Sequence, residues 1–223
     1  MNTKLFFEAI IKILLGIIII GLLIFFPAGT INYWNGWLLM GLLFIPMFIA
    51  GIVMMIKSPE LLKKRLNLKE KQGKQKQVVL LSALMFIAGF IVAGFNFRYG
   101  WIVFPNIVII ISSIIFVLSY IVYAEVLREN KYLSRTIEVQ ENQKVIDSGL
   151  YGIVRHPMYM STIFLFLSMP LILGSIYSFV IFLIYPIIIA KRIKNEEEVL
   201  EKELEGYAEY KNKVKYKMIP LIW

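Results

Sequence analysis

The stretch PMYMSTIFLFLSMPLILGSIYSFVIFLIYPIIIA, residues 157–190, determines how this chain is organised. It contains two apolar segments, 158–173 and 175–190, with Pro170 and Gly174 marking the turn between them. At 1.5 Å per residue, the 12 residues between Pro157 and Pro170 make about 18 Å of helix and segment 175–190 makes about 24 Å, and both lengths are short of a ~30 Å hydrocarbon core. They predict a helical hairpin whose two ends open on the same side of a membrane, whether it crosses the membrane or re-enters.

The composition places the whole chain in a membrane. Of 223 residues, 59% are hydrophobic and 17% are charged, which is more apolar surface than one soluble core of this size can bury. The chain has no cysteine and one histidine, so disulfide scaffolds, thiol nucleophiles and an ordinary zinc site are excluded. We therefore expect that the protein binds no metal. We attribute the net charge of +9 to orientation in the membrane and not to nucleic acid binding.

Four more apolar stretches precede the hairpin, and each has about the length of a membrane-spanning helix. They lie at 9–27, 36–56, 78–97 and 101–124. The first follows a charged start, as secretory signals do, but Phe26-Pro27-Ala28-Gly29 is a poor cleavage site. We interpret it as a retained first helix, in which Glu8 and Lys12 pair one helical turn apart.

Positive charges predict the orientation of these helices. Loop 57–77 carries eight basic residues, loop 28–35 carries none, and loop 98–100 carries only Arg98. In total, 23 of the 24 Lys and Arg residues fall on one side, which predicts that both termini are cytoplasmic. We interpret loop 57–77 as a solvated orientation signal in preference to a site for lipid headgroups or nucleic acid.

The polar residues that can do chemistry flank the hairpin. Residues 140–159 precede it and residues 191–200 follow it, so the hairpin brings these two segments together at one interface. Pro157 suits the first turn of a helix, which places free backbone donors and a positive helix end beside His156, where an anionic group would bind. Gly149 and Gly152 would let the backbone approach a flat ligand. Taken singly, these residues also fit an aromatic belt and surface ion pairs.

The tail adds a predicted amphipathic helix. Leu200, Leu204, Tyr207 and Tyr210 are three and four residues apart, which predicts a helix along the membrane surface that covers the flanking site. The predicted fold class is an all-α integral membrane protein with four spanning helices, a C-terminal helical hairpin, and a cytoplasmic amphipathic helix. This makes five to six membrane segments, divided into an N-terminal region, 1–125, and a C-terminal region, 126–223.

The C-terminal region resembles a known family. The string VIDSGLYGIVRHPMY at 145–159, the hydrophobic hairpin, RIKNEE at 192–197, and the tail residues Leu200, Gly206, Tyr207, Tyr210, Val214, Ile219 and Pro220 resemble isoprenylcysteine carboxyl methyltransferases and the related phospholipid N-methyltransferases. The likeness covers about residues 128–223. Two positions depart from the family pattern, Ser161 where glycine is frequent and Leu150 where many bacterial members have proline.

This resemblance implies an integral membrane methyltransferase that uses S-adenosylmethionine (SAM) without a Rossmann domain. By motif, the implied cofactor-binding residues are Gln140, Gln143, Lys144, Val145, Ile146, Tyr151, His156, Pro157, Met158, Tyr159 and Glu196. Chemically, Ile146 suits the adenine, His156 the cofactor carboxylate and Glu196 its ammonium group, and Tyr151 or Tyr159 suits the sulfonium cation. Arg192 is implied to face the methyl acceptor. We expect a multi-pass protein of a bacterial or archaeal plasma membrane.

The sequence leaves the chemical class of the methyl acceptor open. Arg192 would orient a carboxylate of an isoprenylcysteine-like or other lipid-like molecule, which needs no base, whereas an amine acceptor would need a base such as Glu197. A phospholipid amine or a lipophilic thiol therefore remains possible. Two further alternatives are an NADPH-dependent membrane reductase, which would need more basic residues for its 2′-phosphate than the nearby Arg155 and Lys144, and a non-catalytic membrane scaffold. The expected partners are the lipid bilayer and a lipophilic acceptor, without nucleic acid.

Overall fold

A computed structural model describes residues 3–67, 73–134, 136–137 and 139–223, with the side chain of Lys74 also outside the description. Within these residues the chain is all-α. The helices are α1 (Thr3–Ala28), α2 (Trp34–Lys57), α3 (Pro59–Leu66), α4 (Gly73–Arg98), α5 (Asn106–Glu129), α6 (Pro157–Ile172), α7 (Ile176–Phe182), α8 (Tyr185–Glu203) and α9 (Tyr207–Lys213), with a 3₁₀ turn at Gly149–Gly152.

Among the described residues, five helical segments are long and apolar enough to cross a membrane. These are α1, α2, Gln75–Arg98, α5 and the combined stretch Ile176–Glu203. The all-α membrane fold is thus confirmed, and α6, with 16 residues, is the shorter apolar arm of the hairpin. The second arm is longer than the predicted 175–190, because the helix continues through the charged residues up to Glu203.

The fourth apolar stretch does not begin as a helix at residue 101. Helix α5 begins at Asn106, after Pro105 in extended conformation. The preceding residues pair with the hairpin turn, since Val103 bridges to Ser175 and the Phe104 N–H donates to the Gly174 carbonyl at 3.0 Å. The extended segment thereby supplies hydrogen bonds to backbone groups that would otherwise be unpaired at the tip of the hairpin.

The hairpin turn is shorter than the sequence predicted. Pro170 lies inside the last turn of α6, and the chain reverses only at residues 173–175, where Gly174 has a φ of +74°. Tyr33 donates from its hydroxyl to the Leu173 carbonyl, and Asn35 donates to the Ile172 carbonyl at 2.8 Å. These side chains at the start of α2 satisfy carbonyls that the end of α6 leaves free.

Close helix packing fixes the positions of the two arms. A Cβ on Gly89 of α4 would lie 2.2 Å from the Phe182 ring, and a Cβ on Gly94 would lie 2.6 Å from the Ile24 carbonyl oxygen. Glycine at these positions lets α4 approach both α7 and α1. One continuous apolar core joins residues of α1, α2, α4, α5, α6, α7 and α8. Side chains such as Phe26 and Ile56 remain exposed on the outer faces, where lipid would contact them.

The predicted amphipathic tail helix is two helices. Leu200 belongs to α8, whereas Tyr207 and Tyr210 belong to α9, and Gly206 between them adopts a φ of +80°. A glycine in this left-handed conformation is a common way for a helix to end. Leu204 and Val214 are buried with the two tyrosines against Val139, Val145 and Leu200. The apolar face of the tail therefore packs on the protein itself and not along a membrane surface.

Loop 57–77 is also more structured than predicted. Its residues Leu61 and Leu62 are buried in α3, and Lys12 of α1 donates to the Leu66 carbonyl at 2.6 Å. The predicted pair of Lys12 and Glu8 is present at 2.6 Å as well. The interpretation of this loop as simply solvated is wrong for α3. Lys69 and Lys71, like Arg135 of the predicted basic face, lie outside the described residues.

Candidate cofactor and acceptor site

The two polar segments that flank the hairpin meet around a cavity. Its walls come from the segment after α5, the loop before the 3₁₀ turn, the start of α6, and the end of α8 with α9. The lining residues are Asn130, Tyr132, Leu133, Ser134, Thr136, Ile137, Gln143, Lys144, Val145, Ile146, Tyr151, Arg155, His156, Met158, Tyr159, Arg192, Glu196, Leu200, Leu204, Tyr207 and Tyr210. The hairpin thus brings together residues that are some forty positions apart, as predicted.

The C-terminal tail holds the start of α6 in place. The Arg155 N–H donates to the Tyr216 carbonyl at 3.0 Å, and the His156 N–H donates to the Lys217 carbonyl at 2.8 Å. The Arg155 guanidinium also donates to the carbonyls of Val214 and Lys215 at 2.7 and 2.8 Å. Pro157 begins α6 after His156, as predicted. The tail is therefore a structural wall of the site.

A buried carboxylate joins these elements to α8. Glu197 accepts from the Arg155 Nε at 2.8 Å, lies 3.1 Å from His156 Nε2, and lies 3.3 Å from the Lys217 ammonium. Its side chain is buried and does not line the cavity. The geometry gives no support to the predicted role of Glu197 as a base, because cationic and donor groups already surround it. A carboxylate held in this way positions the residues that bind it.

The contact with Glu197 determines what His156 offers the cavity. A carboxylate only accepts hydrogen bonds, so Nε2 carries the proton in this contact. In a neutral ring Nδ1 is then an acceptor, and in a doubly protonated ring it is a donor. Because Nε2 contacts Glu197, Nδ1 is the ring nitrogen of His156 that remains for a ligand in the cavity.

A second set of contacts connects α6 and α8 directly. Arg192 Nε donates to the Tyr159 hydroxyl at 2.8 Å, and that hydroxyl donates to the Glu196 carboxylate. The guanidinium also stands 5.9 Å from the centre of the Tyr159 ring. All three side chains line the cavity. Arg192 and Glu196, which are one helical turn apart, thus share one partner on the opposite arm of the hairpin.

Hydrogen bonds hold Tyr151 at its side-chain hydroxyl and at its backbone carbonyl. Its hydroxyl accepts from the Asn130 amide at 3.0 Å, and its carbonyl accepts from the Tyr210 hydroxyl at 2.8 Å. Burial raises the pKa of the Tyr151 phenol, so the hydroxyl stays protonated. The ring contributes a rigid wall of the cavity.

The two glycines of the 3₁₀ turn serve the fold and not a ligand. Gly149 has a φ of +58°, and a Cβ there would lie 1.8 Å from a Glu129 carboxylate oxygen. That carboxylate accepts from the Leu150 N–H at 3.0 Å. Proline at position 150 would lack this donor, so the departure at Leu150 has a structural counterpart in Glu129. A Cβ on Gly152 would lie 3.1 Å from the Asp147 carbonyl oxygen.

Most of the predicted cofactor-binding residues line the cavity. Those that do are Gln143, Lys144, Val145, Ile146, Tyr151, His156, Met158, Tyr159 and Glu196. Gln140 and Pro157 are not among the lining residues. The Gln140 side chain contacts the Lys64 ammonium and donates to the Tyr132 carbonyl, and its N–H donates to Gln143 at 2.9 Å. Ser161, the other departure, is buried and donates to the Met158 carbonyl at 2.7 Å, as a small residue can.

Several lining residues were missed by the sequence analysis. One wall, which neither motif nor periodicity marks, is formed by Asn130, Tyr132, Leu133, Ser134, Thr136 and Ile137. The Tyr207 hydroxyl is buried and has no hydrogen-bond partner in the described part of the chain. Burial also raises the pKa of the Tyr207 phenol, which keeps it a donor. A buried unpaired donor beside a cavity is a candidate ligand contact, and sequence spacing alone does not reveal it.

Arg155 was one of the two basic residues near the 2′-phosphate position that an NADPH-dependent reductase would need. Its guanidinium is buried and is occupied by Glu197 and two tail carbonyls. Of the two basic residues considered for a 2′-phosphate, only Lys144 then has a side chain that these contacts do not occupy. Among the described residues, no group of three or more His, Cys, Asp or Glu side chains is arranged to hold a metal ion.

Comparison with known proteins agrees with the geometry. No curated protein sequence matches the chain. The family model of the isoprenylcysteine carboxyl methyltransferase (ICMT) family matches residues 107–202. The matched region runs from α5 through both arms of the hairpin and includes Tyr159, Arg192 and Glu196. This match, which covers less than half of the chain, supports membership of the isoprenylcysteine carboxyl methyltransferase family, whose members are SAM-dependent membrane methyltransferases.

Proposed function

We propose that the cavity binds SAM and that the methyl group passes to the carboxylate of an isoprenylcysteine-like or other lipid-like acceptor held at Arg192. One observation carries this proposal: most of the predicted cofactor residues and Arg192 border the same cavity, and Arg192 stands on the hairpin arm that continues into the membrane core. Methyl donor and lipid-borne acceptor can therefore meet at one place.

The chemistry of the lining fits the cofactor. Ile146, Leu200 and Leu204 supply apolar surface for an adenine, and Glu196 supplies a carboxylate for the ammonium group. The unpaired Tyr207 hydroxyl supplies a buried donor for a ribose hydroxyl or the cofactor carboxylate. The start of α6 contributes a positive helix end next to His156.

The two candidate tyrosines differ in their fit to a sulfonium cation. Tyr159 already has the Arg192 guanidinium near its ring and the His156 ring 5.7 Å away on centroids. Tyr151 is held by its hydroxyl and its carbonyl, which leaves its ring to the cavity. We therefore assign the cation–π contact, worth about 0.5–2 kcal/mol, to Tyr151.

SAM supplies an activated methyl group whose sulfur leaves as a neutral thioether. The protein's task is then to hold an acceptor oxygen in line with that group, because orientation supplies most of the rate in such a displacement. Arg192 orients an ionised carboxylate through its planar fork of donors. An ionised carboxylate has no proton to lose, so the transfer to it proceeds without a base and leaves Glu197 to its structural role.

Purified protein titrated with SAM and with NADPH tests the cofactor assignment. Calorimetry is expected to show SAM binding to the wild type and a loss of about 10-fold in affinity for Tyr207→Phe. Tyr216→Phe, a half-buried tyrosine of the same tail that does not line the cavity, is the matched control and is expected to bind as the wild type does. Binding of NADPH without SAM binding would overturn the proposal.

A further inference from the structure

Gln75 lies in the first turn of α4 and is fully buried. Its amide oxygen accepts a hydrogen bond from the Arg192 guanidinium at 3.1 Å. Its amide nitrogen, Nε2, is buried without a hydrogen-bond partner in the described part of the chain. A helix far away in sequence therefore contributes an amide next to the proposed acceptor residue, with one donor left over.

The orientation of this amide is determined by its neighbour. An arginine has five donors and no acceptor, so the glutamine must turn its oxygen toward Arg192 and its NH₂ group away from it. Rotating the amide would place two donors against each other. The unpaired Nε2 is thus a fixed consequence of the contact with Arg192, and a buried donor of this kind is costly to leave unpaired. It needs an acceptor that the described chain does not supply.

The surroundings limit what that acceptor can be. Gln75 is not among the lining residues of the SAM cavity and lies on the α4 side of Arg192. Toward the membrane interior, both helices contribute to the apolar core, α4 with Val78 and Met85 and α8 with Ile188 and Ile189. A ligand that reaches Gln75 there combines a hydrogen-bond-accepting head with an apolar body. The positive N-terminal end of α4 favours a negatively charged head.

We propose that Gln75 and Arg192 together bind the carboxylate of the methyl acceptor, with the apolar part of the acceptor between α4 and α8. This inference rests on the proposed function, since it names the protein groups that select the acceptor. One carboxylate oxygen accepts from the Arg192 guanidinium and the other from Gln75 Nε2. The arrangement favours a carboxylate over an amine, because an ammonium group has no acceptor for either partner.

A structural role for Gln75 makes a different prediction. If Gln75 only holds Arg192 in place, Gln75→Glu keeps the oxygen that Arg192 needs and adds a charge that strengthens the contact. If Gln75 also binds the acceptor, the same change removes the donor and places a carboxylate against a carboxylate. Gln75→Leu removes both functions and does not separate the two. Gln75→Glu is therefore the deciding variant.

The test measures methyl transfer to N-acetyl-S-farnesylcysteine by detergent-purified protein, together with SAM affinity by calorimetry. For Gln75→Glu we expect the acceptor KM to rise about 10-fold or more while the Kd of SAM stays within about 3-fold. Gln77→Glu, which introduces the same charge at an exposed position of the same helix turn, is the control and is expected to keep the wild-type KM. An unchanged KM in Gln75→Glu overturns the inference, as does an equal loss of SAM and acceptor binding.

The failure of this inference can be told from the failure of the proposed function. If the wild type methylates the carboxylate and Gln75→Glu does so with the same KM, only the inference on Gln75 is wrong. If the wild type binds SAM but methylates an amine or a thiol in place of the carboxylate, the proposed function is wrong and the inference on Gln75 falls with it.

Discussion

Arg192 Nε lies 2.8 Å from the Tyr159 hydroxyl, and this contact joins the two arms of the hairpin at the edge of the cavity. The Tyr159 hydroxyl in turn donates a hydrogen bond to the Glu196 carboxylate. One phenol thus fixes the relative positions of the residue proposed for the acceptor and the residue proposed for the cofactor ammonium. Orientation of this kind is what an in-line methyl transfer requires of a protein.

Replacing Arg192 with lysine is expected to separate acceptor binding from cofactor binding. Lysine keeps the charge but loses the planar fork that contacts Tyr159 and Gln75 together. We predict SAM affinity within a few-fold of the wild type and turnover lower by about 10-fold or more, which corresponds to roughly 1.4 kcal/mol. Calorimetry and methyl-transfer kinetics measure the two effects, with Lys194→Ala as an exposed control on α8. Lost SAM affinity with intact turnover would place Arg192 on the cofactor.

His156→Ala and Glu196→Ala are expected to weaken SAM binding without unfolding the protein. Each removes a charged or dipolar contact worth about 1.5–3 kcal/mol, or about 10-fold to over 100-fold in affinity. Glu205→Ala changes an exposed carboxylate in the same tail and is expected to have no effect. SAM titrations of the three variants check this. If both His156→Ala and Glu196→Ala gave wild-type titration curves, these residues would belong to the membrane interface and would not bind SAM.

Glu197→Ala is expected to act on stability. It leaves the buried Arg155 guanidinium without its carboxylate, and removing one partner of a buried ion pair costs about 3–5 kcal/mol. Denaturant unfolding in detergent is therefore expected to show a much lower midpoint than for Glu205→Ala. If the stability were unchanged and methylation of amines were selectively lost, Glu197 would be a base after all.

The sequence predicted the parts of this molecule that depend on length, composition and local pattern. Apolar stretches of about 20 residues predicted the long helices, and Pro157 predicted the start of α6 beside His156. What it missed depends on tertiary contact. Nothing local links Gln75 to Arg192, because the contact exists only once α4 packs on α8. The break at Gly206 was missed because Leu200, Leu204, Tyr207 and Tyr210 keep a helical spacing across it.

The orientation in the membrane rests on charge, and labelling tests it directly. Of two positions on the predicted non-cytoplasmic side, Asn32 is exposed whereas Ser175 is fully buried, so Asn32 is the suitable one. In this cysteine-free chain, a cysteine at Asn32 is expected to react from outside the cytoplasm, and cysteines at Lys63 and Glu205 from the cytoplasmic side. Reaction of all three from one side would refute the predicted topology.

The chemical form of the transferred methyl group tests the central claim most directly. Wild-type protein is incubated with methyl-labelled SAM and N-acetyl-S-farnesylcysteine, with phosphatidylethanolamine and a lipophilic thiol in parallel, and each product is treated with mild base. The proposed carboxylate acceptor predicts label in the farnesylcysteine product that base releases as methanol, as a methyl ester does. Label that appears only in base-stable amine or thioether products would contradict the account.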